Sequence, residues 1–262
     1  MLKVNKPGGT ITGRPVCEIV GGATSGYKIS VVDNPKNFPD NVQDELITNA
    51  TIPEHNEGVF SQLPNPNTER EILYITGPSG SGKSVYASKY MRYYNLLFPQ
   101  RNIYVFSSIP DDKGFKDIEN MYYVRMDEKY IKNPPTMDEL ANSLVLFDDV
   151  DVLSDPFKDV TFAVLNKVLE IGRHYKISAI LTMHLATSGT QTRRILNECH
   201  SVTWYPQSGS VKGINYLMDN YFGIDKKTID RIKATGSRWA TLFKNYPMTI
   251  MTEKQISIAS DF

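Results

Sequence analysis

Three groups of residues in this chain have the types and spacing to do chemistry. The first is Gly77-Pro78-Ser79-Gly80-Ser81-Gly82-Lys83-Ser84, which fits G-x-x-x-x-G-K-[ST]. Glycines at these spacings let the backbone turn so that successive N–H groups point into one hollow, an anion nest at a helix N-terminus. Lys83 can reach the β- and γ-phosphates of a nucleotide, and the Ser84 hydroxyl can take a Mg²⁺ position. Gly77 through Val85 is the expected nucleotide-binding stretch. The second group is Asp148-Asp149, which ends the apolar run Leu144–Phe147. An acid delivered by a strand to the edge beside a phosphate loop supports the metal, and a carboxylate one residue on can orient and deprotonate an attacking water. Asp148 is the metal candidate and Asp149 the base, with Asp151 in reserve as a base but reading as a cap or loop residue. The third group is His184, ending the run Ile177–Met183, where a polar side chain can sense the γ-phosphate. Thr182, two residues back on the same side, is the alternative.

These residues need a scaffold, and the pattern supplies one. Ile72–Ile75 reads as a buried strand entering the loop, and Val85–Phe98 as the helix leaving it, stopped by Pro99. Asn102–Ser107, Met121–Met126, Leu144–Asp148, Ile177–Met183 and Ser201–Tyr205 read as further strands. Pro110-Asp111-Asp112-Lys113-Gly114 and Asn133-Pro134-Pro135 mark breaks between them. Helices are expected at Met137–Ala141, after an Asp155 cap with Pro156 as first helical residue, and near Thr192–Glu198. The alternation predicts an α/β fold with a mostly parallel sheet flanked by helices. Residues 1–34 read as short strands with glycine turns. Pro35–Pro66 reads as an extended, loop-rich connection. The tail after Val211 reads as two helical stretches, including Lys226–Thr235, and a hairpin, Arg238–Lys244 with Met248–Met251. The expected division is an extension over 1–67, a core over 68–210, and a second extension over 211–262 packed on the core.

With 262 residues the chain is long enough for one large α/β domain plus extensions. Its 29 basic and 29 acidic residues cancel, which argues against a protein that coats nucleic acid. A ring that repeats one or two lysines per subunit is compatible with that balance. Cys17 and Cys199 have no metal-ligand spacing and read as buried thiols. No apolar run approaches the length that spans a membrane, so no membrane partner is expected.

Gly77–Ser84, Leu144–Asp149 and the block Gly172-Arg173-His174-Tyr175-Lys176-Ile177-Ser178, running on to His184, stand in the order seen in the FtsK/HerA branch of P-loop ATPases. Thr192-Arg193-Arg194-Ile195-Leu196-Asn197-Glu198-Cys199 and the tail motifs Ser237-Arg238-Trp239 and Lys244-Asn245-Tyr246-Pro247 sharpen this. The chain resembles the poxvirus-type genome-packaging ATPases of large double-stranded DNA viruses and virophages, over about Glu69 to Glu253. The resemblance implies an ASCE/RecA-like P-loop NTPase core and ATP with Mg²⁺. It also implies a homo-oligomeric ring, pentameric or hexameric, that drives double-stranded DNA without regard to sequence, with Lys113 and Lys116 as candidates for contacting DNA phosphate. Capsid vertex proteins would be its partners, in the host cytoplasm (the viral factory) or the virion. FtsK-like motors also place an arginine where Arg173 stands, which makes it the first candidate for a finger reaching a neighbour's site, ahead of Arg193 and Arg194. The chain departs from the family in having Asp149 where many relatives carry glutamate, and His184 where FtsK-like motors tend to carry glutamine.

Two other functions share the loop. A nucleotide kinase would want an arginine-rich lid and need not carry the carboxylate pair. A nucleotide-gated structural subunit would bind ATP to assemble and turn it over little.

Overall fold

Short apolar pieces separated by glycine turns build the first strands: β1 (Leu2–Asn5), β2 (Arg14–Val20) and β3 (Lys28–Val31). The proline-rich stretch that follows carries a short helix, α1 (Asp40–Gln43), and two strands, β4 (Asn49–Thr51) and β5 (Val59–Gln62). The reading of 35–66 as a loop-rich connection therefore misses two strands. Phe60 and Ile52 explain them, since both are buried. The computed structural model describes residues 1–109, 113–187 and 189–262, apart from the side chains of Lys113, Thr190 and Gln191. The expected break at Pro110-Asp111-Asp112 and the Lys113 side chain lie outside the described residues.

The core begins with β6 (Ile72–Thr76), all five residues buried, and α2 (Lys83–Leu97). It continues through β7 (Ile103–Ser107), β8 (Met121–Tyr123), α3 (Glu128–Lys132), β9 (Leu144–Asp148) and α4 (Phe157–Ile171). Then come β10 (Ser178–Met183), α5 (Gly189–Glu198) and β11 (Ser201–Trp204). Two expectations are corrected here. Met137–Ala141 is turn rather than helix, with Leu140 N–H bonded to Thr136 O and Asn142 left-handed at φ 54°. The local helix is α3, whose N-cap Asp127 accepts from the N–H groups of Lys129 and Tyr130. The helix expected from Pro156 starts one residue later, at Phe157, without a side-chain cap from Asp155.

The tail holds α6 (Val211–Phe222), α7 (Lys226–Ala234) and three strands, β12 (Ala240–Phe243), β13 (Thr249–Thr252) and β14 (Gln255–Ile258). The hairpin is β12–β13. The third strand was not read from the sequence. None of the described helices is long and apolar enough to cross a membrane.

Two compact units result: Thr68–Val202, and Met1–Asn67 together with Thr203–Phe262. The expected pair of separate extensions is thus one body. Its physical basis is that β4 pairs antiparallel with β14, Gln255 opposite Thr51. A shared core also joins Leu2, Val16, Ile29 and Phe60 to Phe243, Met251 and Ile256. Within it β1, β3, β2 and β5 form one antiparallel sheet. Cys17 lies in this core, and burial pushes its thiol upward.

In Thr68–Val202 the strand order is β6-β10-β9-β7-β8, and each of these pairings is parallel. Strands covered on both faces read as continuous apolar runs, as β6, β9 and β10 do. Parallel strands bring all their C-termini to one edge. Met183 lies opposite Thr76, and Ser107 opposite Asp148. The loop after β6, the carboxylate of β9 and the polar end of β10 are therefore neighbours by topology.

Candidate active site

The loop is built by backbone geometry that side chains resist. Gly82 caps α2 at φ 108° and ψ 17°, in the left-handed region. Gly80 sits at φ +75° with open space where a Cβ would be, so its requirement for glycine is conformational rather than steric. Gly77 N–H donates to Met183 O at 3.1 Å, fastening the loop's start to β10. Ser81 Oγ is buried with no hydrogen-bond partner among the described residues. An orphaned polar atom in a glycine loop at a helix N-terminus is what a bound phosphate would satisfy.

Lys83 is buried, 5% exposed, by the packing of α2 on the sheet. Its ammonium donates to Gly77 O at 3.0 Å and stands 3.3 Å from Asp149 Oδ1. An ammonium carries three hydrogens, so the same cation has capacity left for a phosphate oxygen.

The two adjacent carboxylates have different surroundings. Asp148, 5% exposed, is gripped from both sides. Ser107 Oγ of β7 donates to its Oδ2 at 3.2 Å, and Thr182 Oγ1 of β10 to its Oδ1 at 2.8 Å. Asp149 is half-buried, in a left-handed conformation at φ 45° and ψ 42°. Asp tolerates that region better than most residues, at a cost of about 1–2 kcal/mol. Its N–H donates to Thr182 Oγ1 at 2.8 Å, and its carboxylate lies between Lys83 and His184, whose Nε2 is 3.5 Å from Oδ2. His184 is held in turn by Asp151, which accepts from the His184 N–H at 3.1 Å and places Oδ1 4.0 Å from its Nδ1.

Of the sequence candidates, the geometry joins Lys83, Asp149, Thr182, His184 and Asp148 directly. Asp151, read as a cap or loop residue, belongs to the same cluster. Ser107 was not anticipated, although its register opposite Asp148 follows from two strands that the sequence does reveal. Ser84 is half-buried one step into α2, and Val85 is exposed beside it. Arg173 is not brought to this edge. It follows α4 and precedes β10, at the opposite end of the sheet, 3.7 Å from Glu69 and largely exposed. Arg193 is exposed on α5, and Arg194 pairs with Glu170 at 2.7 Å. Lys116 is exposed, and its carbonyl accepts from Arg92.

Asp148 is suited to Mg²⁺. A buried carboxylate oriented by two hydroxyls, with a serine hydroxyl nearby in the loop, is an oxygen donor set of the kind this ion prefers. A second trio, Asp149, Asp151 and His184, also has ligand atoms within 4.8 Å of one another. It is a poorer match, because it offers a nitrogen and already faces the Lys83 ammonium.

An uncharacterized protein of Sputnik virophage, protein V3, is 36% identical over 243 residues, covering 92% of this chain and 93% of that protein. The chain belongs to the V3 family. No family model matches it. Among solved structures, this V3-family chain is similar to B204, the DNA-packaging ATPase from Sulfolobus Turreted Icosahedral Virus. That likeness is 13% identical, with a TM-score of 0.48, over 71% of this chain and 98% of that one. It is also similar to the genome packaging NTPase B204 from Sulfolobus turreted icosahedral virus 2 in complex with ATP-γS. The figures there are 12% identity and a TM-score of 0.49 over 70% and 97% of the two chains. EssC (ATPases 2 and 3) from Geobacillus thermodenitrificans is 12% identical with a TM-score of 0.47, over 99% of this chain and 47% of that one.

Proposed function

We propose that this chain is an ATP-hydrolysing motor that moves double-stranded DNA and packages a viral genome into a capsid. The observation that carries the reading is the Lys83–Asp149 pair, 3.3 Å apart at the mouth of the phosphate loop with Asp148 beside it. Cation, base and metal carboxylate are thereby on one edge of one parallel sheet, which a kinase would not need. The packaging role is supported by the Gly172–Cys199 block and the tail motifs that resemble packaging ATPases, and by membership of a virophage protein family.

ATP enters with its β- and γ-phosphates against the loop N–H groups and Ser81 Oγ. Bound Mg²⁺, held by Ser84 and Asp148, would neutralise charge on the phosphate oxygens. Lys83 turns from Asp149 toward the phosphates, and the released carboxylate orients a water in line with the γ-phosphorus. A bond forms from the water oxygen to phosphorus, the bond to the β,γ-bridging oxygen breaks, and Asp149 takes the water's proton. His184 Nε2, beside Asp149 Oδ2, supports the charge there. In a homo-oligomeric ring Arg173 would reach the neighbouring subunit's γ-phosphate, since within its own subunit it lies at the far edge of the sheet. DNA is gripped through its phosphates without reading bases.

The test is ATP turnover with and without duplex DNA, in protein of established oligomeric state. Turnover stimulated equally by unrelated duplexes, and weakened steeply by salt, is the expected result. Nucleotide binding with negligible turnover would favour the structural subunit instead. Transfer of phosphate to a nucleotide acceptor would favour the kinase.

A further inference from the structure

We infer that Thr182 is a positioning residue of the ATPase site: its one hydroxyl sets the geometry between the metal carboxylate Asp148 and the base Asp149. The inference rests on the ATPase reading and deepens it.

Successive side chains of a strand point to opposite faces, so two adjacent acids at the end of β9 would ordinarily diverge. Here they do not. The chain turns left-handed at Asp149, and both carboxylates come within reach of the same oxygen, Asp148 Oδ1 at 2.8 Å and Asp149 Oδ1 at 3.2 Å from Thr182 Oγ1. The Asp149 N–H points at that oxygen too, at 2.8 Å. A hydroxyl has one hydrogen to give. Thr182 gives it to Asp148 and accepts from the Asp149 N–H, so one group orients one carboxylate and pins the backbone turn that aims the other.

Thr182 is fully buried, so it does not meet solvent. With its hydrogen committed to Asp148, it acts through the two carboxylates rather than on the phosphate. Ser107 supplies the contrast. It holds Asp148 from the other side at 3.2 Å, and it accepts from the Ile109 N–H, with no bond to Asp149 among the described residues. Loss of Ser107 should loosen the metal carboxylate alone, whereas loss of the Thr182 hydroxyl should also release the base.

Thr182→Val keeps the β-branched shape and removes the hydroxyl. Thr182→Ser keeps the hydroxyl and removes a methyl. Groups that orient a metal-site ligand typically cost about 10–100-fold in activity when removed. Thr182→Val is expected to lower kcat for ATP by about that factor, with KM and the affinity for a fluorescent ATP analogue within about threefold of wild type. Thr182→Ser should recover kcat to within about threefold, and Ser107→Ala should fall between. A second readout needs no nucleotide: hydrogen exchange at the Asp149 amide should lose protection in Thr182→Val and keep it in Thr182→Ser. If Thr182→Val fails to fold, Thr182→Cys, close in volume but a weak donor, takes its place with the same expectations. Wild-type kcat in the hydroxyl-free variant, or equal loss in Thr182→Ser, would overturn the inference while leaving the ATPase reading intact. A wild-type protein that neither binds the analogue nor turns over ATP would overturn both.

Discussion

The parallel sheet of Thr68–Val202 has polar groups at both edges, and the two edges spend them differently. At the N-terminal edge the contacts tie strands and helix ends together. Arg70 donates through Nη1 to Val168 O at 3.2 Å and through Nη2 to Leu169 O at 3.0 Å, satisfying carbonyls at the end of α4. Glu71 N–H donates to Ser178 Oγ, Tyr90 donates to the Glu71 carboxylate, and His200 Nδ1 accepts from Ile72 N–H. At the C-terminal edge, Lys83 and His184 stand 3.3 Å and 3.5 Å from the two carboxylate oxygens of Asp149, and Ser81 Oγ has no partner among the described residues. Residue type does not separate the two edges, since each has arginine or lysine, acid and histidine. What separates them is that the C-terminal groups converge on one carboxylate, Asp149, beside a loop hydroxyl with no partner among the described residues.

That contrast can be broken by substitution. The largest effect is expected for Lys83→Ala at the C-terminal edge: ATP turnover should fall to background and ATP affinity should drop, with the thermal transition retained. Unchanged turnover in the folded variant would erase the distinction between the edges. Arg70→Ala at the N-terminal edge should do the reverse. Two charge-assisted bonds to carbonyls are lost, and stability should fall by about 2 kcal/mol in chemical denaturation while KM for ATP stays within about twofold. A large KM change would mean that the N-terminal edge is not merely structural. The smallest effect on the isolated chain is expected for Arg173→Ala, whose exposed pair with Glu69 should contribute less than about 1 kcal/mol. If Arg173 serves a neighbour, mixing Arg173→Ala with Lys83→Ala subunits should restore part of the activity, because some interfaces then pair an intact loop with an intact arginine. No recovery in mixtures shown to co-assemble would return Arg173 to the structural edge.

Much of this was legible in the sequence. Gly77–Ser84 could be read because one loop supplies every contact in consecutive residues, and β6, β9 and β10 because fully covered strands are apolar throughout. Contacts between distant segments were harder. Ser107 and Thr182 are ordinary strand residues by type, and only the register beside β9 turns them toward Asp148. The carbonyls at the end of α4 are satisfied by Arg70, 98 residues before Val168 in the chain, a partner that no local pattern announces. The union of residues 1–67 with 203–262 depends on β4 pairing with β14. A three-residue strand, NAT, carries too little pattern to announce that partner. Asp151 reads as a cap or loop residue because its contact with the His184 N–H joins two segments 33 residues apart.

We propose that Asp149, which stands 3.3 Å from Lys83, becomes the base when phosphate takes the lysine. Asp149→Asn tests it most directly, since it keeps size and hydrogen bonding but removes the proton acceptor. ATP binding and steady-state turnover should be measured on the same preparation. The account predicts binding within a few-fold of wild type and turnover lower by about a hundred- to ten-thousand-fold. Turnover at the wild-type rate, with binding intact, would contradict it.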